Sequence, residues 1–233
     1  MKDPRFWGGT AAFVCAGTYI FGFVVLLTLL APSGYGANDA DPAAIAAFIA
    51  ENTGLMIIWN LAIYVVNGLA LAALAVTLGM YFAGTSPHLA QMVRSFGMLW
   101  ATLVVGAGMV ANVGIAAVAE KFATAPDDAV RIWEVISLVE NGLGGGNEIA
   151  GSVWAILIAI AAMALPRPPR ALALFSVVIG VSGLLTIIPQ TGELPGAIFG
   201  LGYIVWFIWV GILLIRDGRQ AQAGRPVSTA GLA

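Results

Sequence analysis

One carboxylate, Glu148, stands inside an otherwise apolar run, and no other acid in the chain is so placed. An acid in hydrocarbon is expensive, so Glu148 marks a pocket, a proton path or an ion site unless it lies a turn from the surface and reaches water. It closes the stretch Asn141-Gly-Leu-Gly-Gly-Gly-Asn147-Glu148. If helical, this stretch lines Asn141, Gly144, Glu148 and Ser152 along one stripe. If broken, its glycines expose backbone groups, as in discontinuous transporter helices. The ordinary use of such glycines is close helix packing or a hinge. They form no phosphate loop, because no Gly-Lys-Ser/Thr follows.

Other polar residues collect in neighbouring apolar runs. Asn60, Tyr64 and Asn67 fall at i, i+4 and i+7, one face of a helix. Asn67 sits roughly 19 Å from the outer end of its span, near mid-membrane. Asn112 shares a face with Gly108 and Ala116, which lets a neighbour approach. Thr186-Ile-Ile-Pro-Gln190 is followed by Glu193, and Gly196, Gly200 and Tyr203 share a face. Nearly all of these groups fall in the outer half of the membrane, leaving a dry half toward the cytoplasm. The candidate ligand-binding set is therefore Asn60, Tyr64, Asn67, Asn112, Asn147, Glu148 and Gln190. The asparagines would supply hydrogen bonds, Tyr64 and Gln190 shape, and Glu148 charge. A competing reading makes the asparagines interhelical glue, worth about 0.6–2 kcal/mol per contact.

Several chemistries lack their residues. His88 is the only histidine, in a short loop after Pro87, so bis-histidine haem, a multi-histidine zinc site and histidine-ligated copper are unsupported. No span contains lysine for a Schiff base, and Cys15 is the only cysteine, so no disulfide exchange pair exists. Ser86 and His88 have no orienting acid. Glu140, Glu148 and Glu193 could form an oxygen site for a hard cation, with nothing in the sequence to fix their distances. No cofactor and no catalytic residue is expected, and the reading leans away from an enzyme.

The elements that must hold these residues are membrane spans. Of 233 residues, 60% are hydrophobic and 9% charged, where a water-soluble domain carries roughly a quarter charged. About 20 apolar residues cross the hydrocarbon. Spans are expected near 9–31, 55–82, 94–118, 143–165, 171–189 and 196–215. Lys2, Arg5, Arg94, Arg167, Arg170, Arg216, Arg219 and Arg225 then fall on one side, and only Lys121 and Arg131 on the other. The positive-inside rule puts both termini in the cytoplasm. The expected fold class is all-α: one six-span bundle over residues 1–215, with a loose tail at 216–233. Net charge is −2, which gives no footprint for nucleic acid.

The outer links carry a pattern of their own. Asp41-Pro42 reads as a helix cap and first turn, and Ile45, Phe48 and Ile49 make an apolar face. Over 129–141, Ile132, Val135, Ile136 and Val139 form a second stripe, with Arg131, Glu134 and Ser137 facing away. Glu51-Asn52-Thr53-Gly54-Leu55 and Glu140-Asn141-Gly142-Leu143 match as the ends of these two short helices. That match suggests repeated hairpins, and chance explains it equally well. Trp7, Trp59, Trp100 and Trp133 read as interfacial belt residues, and Trp154, Trp206 and Trp209 as deeper bulk.

The acidic-led outer helix running into Glu51-Asn52-Thr53-Gly54-Leu55, the long second span with its asparagines, and the spacing of six spans together resemble a bacterial family of integral membrane proteins, one defined as a domain of unknown function. The resemblance covers roughly residues 9–215 and implies a fold of packed helices with no mechanism attached. The expectation is an inner-membrane protein whose partners are the lipid bilayer and a small molecule, cation or lipid headgroup held in an outward-facing polar pocket for transport or sensing. The alternative is a non-catalytic subunit that packs against itself or against a larger membrane complex.

Overall fold

Aspartate followed by proline opens two of the helices. Asp3 Oδ1 accepts from the Arg5 N–H at 2.9 Å with Pro4 in the first turn, and Asp41 Oδ1 accepts from the Ala43 N–H at 3.0 Å with Pro42 behind it. The computed structural model describes residues 3–37, 39–145, 148–166, 169–191 and 194–223. The fold is all-α, with no strand among the described residues.

Helix α1 is Pro4–Val25, continued by a π-helical segment Leu26–Leu30. The short α2 is Pro42–Glu51. Helix α3 (Thr53–Asn60), a π segment Leu61–Val66 and α4 (Asn67–Phe82) form one rod. Helix α5 is Pro87–Phe122, α6 is Pro126–Glu140, and a π segment Asn141–Gly145 follows. The last three are α7 (Ile149–Met163), α8 (Arg170–Leu185) and α9 (Leu194–Ala223). Five runs are long and apolar enough to cross a membrane: Pro4–Ser33, Thr53–Phe82, Pro87–Phe122, Pro126–Met163 and Leu194–Ala221. The chain is a multi-pass membrane protein. Helix α8 has 16 residues, about 24 Å of rise, and is shorter than the span expected over 171–189. Its last turn ends at Thr186, whose N–H reaches Gly183 O, and Ile187 and Ile188 lie in turns beyond.

Six rods close into a ring. Helix α1 packs on α4, α4 on α5, α5 on α7, α7 on α8, α8 on α9, and α9 back on α1. The α4–α5 register is antiparallel and is set by glycines. A Cβ on Gly79 would meet Arg94, one on Gly68 would meet Val105, and Gly97 and Gly108 stand in the same way against Ala75 and Tyr64. Aromatic side chains fill the middle of the ring: Trp100, Trp154, Phe199, Tyr203, Trp206 and Phe207 are all buried. Their polar handles are met. Trp154 Nε1 donates to Val93 O at 2.8 Å, Trp206 Nε1 to Ser176 Oγ at 2.7 Å, and the Tyr203 hydroxyl to Gly151 O at 2.9 Å. The outer surface carries exposed Leu69, Val113, Leu174 and Leu201, which hydrocarbon tolerates and water would not.

Helices α2 and α6 lie at one end, resting on α5 and on each other. Ile45 and Ile49 are buried and Phe48 half-buried, so the expected face of α2 packs inward. The expected stripe of α6 needs correction. Ala129, Ile132, Trp133, Ile136 and Glu140 turn toward the bundle, while Val135 and Val139 are exposed. The face rotates because Glu140 finds a hydrogen-bond donor inside and its two apolar neighbours do not need one. The tryptophan assignment also changes. Trp59 and Trp100 are 7% and 3% exposed, which makes them interior residues, whereas Trp7 is 61% exposed. The other end is less dry than expected: the Tyr81 hydroxyl donates to Asp217 Oδ2 at 2.7 Å, and the Arg5 guanidinium lies 5.7 Å from the Tyr81 ring centre.

Gly97 tests this packing where α4, α5 and α7 meet. A Cβ there would lie 2.5 Å from both Ala75 Cβ and Trp154 Nε1. Gly97→Val should destabilise the bundle by about 1–3 kcal/mol, as over-packing does. Chemical denaturation in detergent micelles reads this directly. A midpoint equal to that of the parent protein would mean that α4, α5 and α7 do not meet so closely.

Candidate functional site

Two π segments and the kinked turn at Asn141–Gly145 meet at one place. Leu26 from the first, Ile63 and Tyr64 from the second, and Gly144 from the third all line one partly open cavity of about 170 Å³. Wide helical turns of this kind are rare and recur at functional sites, because the extra residue re-aims side chains and loosens the backbone hydrogen-bond ladder. Tyr19, Gly22 and Phe23 of α1, Trp59 of α3, Asn67 of α4, Trp100 and Val104 of α5, and Glu148 complete the wall.

Each polar group is placed by a distinct local cause. Asn67 Nδ2 donates to Thr18 Oγ1 at 2.8 Å and lies 3.4 Å from Cys15 O, which ties α4 to α1. With the nitrogen committed, Asn67 can still offer an acceptor, its amide oxygen. The Tyr64 hydroxyl donates to Glu140 Oε1 at 2.6 Å, a short charge-assisted geometry. Tyr35, in the loop after α1, stacks edge-on against Trp59 at 5.8 Å. Desolvation pushes the Tyr35 hydroxyl well above its usual range, and the nearby Glu140 adds to the shift, so Tyr35 stays a neutral donor at physiological pH. Trp59 Nε1 donates to Gly22 O at 3.2 Å. That approach needs glycine at 22, because a Cβ there would lie 2.7 Å from Ile63 Cγ2.

Glu148 sits where the chain breaks. Gly144 adopts φ 136°, so Asn141, Gly144, Glu148 and Ser152 do not share a helical stripe. Glu148 is the N-cap residue of α7, its N–H donates to Thr186 Oγ1 at 3.2 Å, and its carbonyl accepts from the Ser152 N–H. Its carboxyl makes no cap hydrogen bond and lines the cavity instead. Among the described residues no ion pair reaches it. Tyr19, Tyr64 and Tyr203 lie within electrostatic range.

Of the residues expected at the site, the fold brings together Tyr64, Asn67 and Glu148. Three others stand apart. Asn60 is buried on the neighbouring face of the rod, its Nδ2 donating to Met56 O at 2.9 Å. Asn112 lies on α5, on the continuation of the register that sets Tyr64 against Gly108, and so falls level with Asn60. The buried Oδ1 atoms of both asparagines have no hydrogen-bond donor. The cause of the separation is the π segment at 61–66. Its wider turn takes more residues per revolution, so each residue turns through a smaller angle and an i, i+4, i+7 count of a regular helix no longer gives one face. Gln190 is exposed in the short turn Pro189–Thr191, beyond the end of α8. Asn147 and Glu193 lie outside the described residues. No cluster of three histidine, cysteine or acidic side chains suited to a metal forms among the described residues.

Sequence reasoning missed Tyr19, Trp59 and Trp100. Trp59 and Trp100 were masked by their positions near span ends, where belt tryptophans are common. Tyr19 had no signal beyond its place in the first span.

The Asn67–Thr18 bond gives a measurable coupling. Asn67→Ala and Thr18→Val, combined in a double-mutant cycle, should show about 0.6–1.7 kcal/mol of interaction in micelle unfolding. Full additivity of the two changes would mean that this bond does not hold α4 to α1. No family model, curated protein or solved structure matches the chain.

Proposed function

We propose that this is a bacterial inner-membrane protein that holds a small molecule, ion or lipid headgroup in the cavity between α1, α3, α5 and the α6–α7 junction, for transport or sensing. The observation that supports this most is the placement of Glu148. A carboxyl lining a cavity in an apolar bundle, with no ion-pair partner among the described residues, is costly unless something else meets it. Both termini lie in the cytoplasm on this reading, the ring crosses the membrane six times, and the cavity belongs to the periplasmic half. The charge distribution supports that orientation: Arg5, Arg94, Arg170, Arg216 and Arg219 share one end, and Lys121 and Arg131 the other.

A second reading, a non-catalytic subunit of a membrane complex, draws on one feature. Val135, Leu138 and Val139 of α6 are 61%, 73% and 45% exposed. A partner helix could cover that face, and so could lipid.

Native mass spectrometry of the protein taken from its own membrane discriminates the two readings. The pocket reading expects a bound species that Glu148→Gln removes. A clean apoprotein mass, together with stability only in a complex, would favour the subunit. Orientation is checked separately with a cysteine placed at position 225, which should be protected from a membrane-impermeant thiol reagent added outside. Labelling there in intact spheroplasts would invert the topology.

A further inference from the structure

The cavity wall carries one carboxyl group and no basic side chain. Glu148 is the only ionisable acid on it, and no lysine, arginine or histidine is among its lining residues. Its uncharged donors are the Tyr19 hydroxyl and the Trp100 indole. The Tyr64 hydroxyl is engaged by Glu140 and the Asn67 nitrogen by Thr18. Around the carboxyl stand five aromatic residues, Tyr19, Phe23, Trp59, Tyr64 and Trp100, with Leu26, Ile63 and Val104 closing the gaps.

These features exclude ligand classes in turn. An anion finds no lysine, arginine or histidine on the wall to pair with, and burying it unpaired is costly. A hard divalent cation wants six or more oxygen ligands, and no suitable acidic cluster forms among the described residues. A neutral sugar needs several directed donors and acceptors, which a mostly aromatic and aliphatic wall does not provide. An alkylated ammonium group meets every requirement. Its charge neutralises the carboxyl, its methyl groups bury against rings, and aromatic faces attract cations most strongly where water is excluded. The volume agrees: a cavity of about 150 Å³ holds a six-carbon ring, and this one is about 170 Å³.

We propose that the cavity recognises a small organic cation, an alkylammonium group seated among Tyr19, Trp59 and Trp100 with its charge on Glu148. This rests on the reading that the cavity binds a ligand at all.

The probes are choline and its uncharged carbon isostere 3,3-dimethyl-1-butanol, with sodium chloride as the ionic control. Each is titrated against the purified full-length protein in lipid nanodiscs, and intrinsic tryptophan fluorescence and calorimetry are read. Choline should bind at least about tenfold more tightly than the isostere, since a desolvated cation–ring contact alone reaches about 2 kcal/mol and tenfold is 1.4 kcal/mol. Glu148→Gln should reduce that preference several-fold, and Trp59→Leu should weaken choline while leaving sodium without effect. The comparison of charged and neutral probes on the parent protein needs no variant to fold. Equal binding of the isostere, equal competition by sodium, or a bound species of another class in native mass spectrometry overturns the cation assignment and leaves the pocket reading standing. Silence to every probe together with a clean apoprotein mass overturns both.

Discussion

Hydrocarbon offers no hydrogen bonds, so a polar atom inside this ring is costly unless another part of the chain answers it, as most are and the Oδ1 atoms of Asn60 and Asn112 and Ser152 Oγ are not. That constraint explains most of what the interior looks like. Indole and phenol groups bond to backbone carbonyls or to serine, asparagine reaches across to threonine, and threonine and serine turn back on their own helices. Where the constraint is met, the side chain is structural. Glu148 draws notice because its carboxyl lines a cavity and takes no cap bond, although the N-terminus of α7 lies directly beside it. The dipole of that helix favours negative charge at this point and makes an ionised Glu148 less costly.

The cavity exists because three rods depart from regular helix at the same depth. A straight helix buries its face evenly against a neighbour. The π segments at 26–30 and 61–66 widen the turn instead, and at 141–145 the chain kinks at Gly144. Gly22 permits the opposite on one side, drawing Trp59 close enough to bond the α1 backbone. The result is a space walled by rings and closed beneath by the aromatic core, in which Trp100 packs on Tyr203 at 4.9 Å and on Trp154 at 5.6 Å. That core is rigid for ordinary reasons: its members are large and flat, and their polar atoms are bonded to fixed backbone.

The two ends of the molecule carry different chemistry. At the α2–α6 end, Tyr35, Tyr64 and Glu140 form a polar layer above the cavity. At the other end, Arg5, Tyr81 and Asp217 join the start of α1 to α9, with Arg5 Nη1 donating to Asp217 O at 3.3 Å. The second cluster binds chain termini together and lies far from Glu148 along the rods. Its arrangement accounts for the place of α1 beside α9 and needs no ligand.

Composition alone determined that this chain lives in lipid, because 60% hydrophobic residues cannot be covered in water. Charge placement and apolar run lengths gave the rods, and the Asp41-Pro42 pair gave one helix start to the residue. Glu148 was legible too, since an acid in an apolar run stands out without any neighbour being known. Tertiary structure decided which polar residues meet. Counting along an ideal helix put Asn60 on one face with Asn67 and Val135 on one stripe with Ile132 and Ile136, whereas in the fold Asn60 is buried away from the cavity and Val135 is exposed. A π turn reduces the rotation per residue, and Glu140 of α6 is buried where Tyr64, 76 residues earlier, donates a hydrogen bond to it. Spacing is a local property of the chain, whereas the answer to a buried polar atom comes from wherever the fold brings a partner.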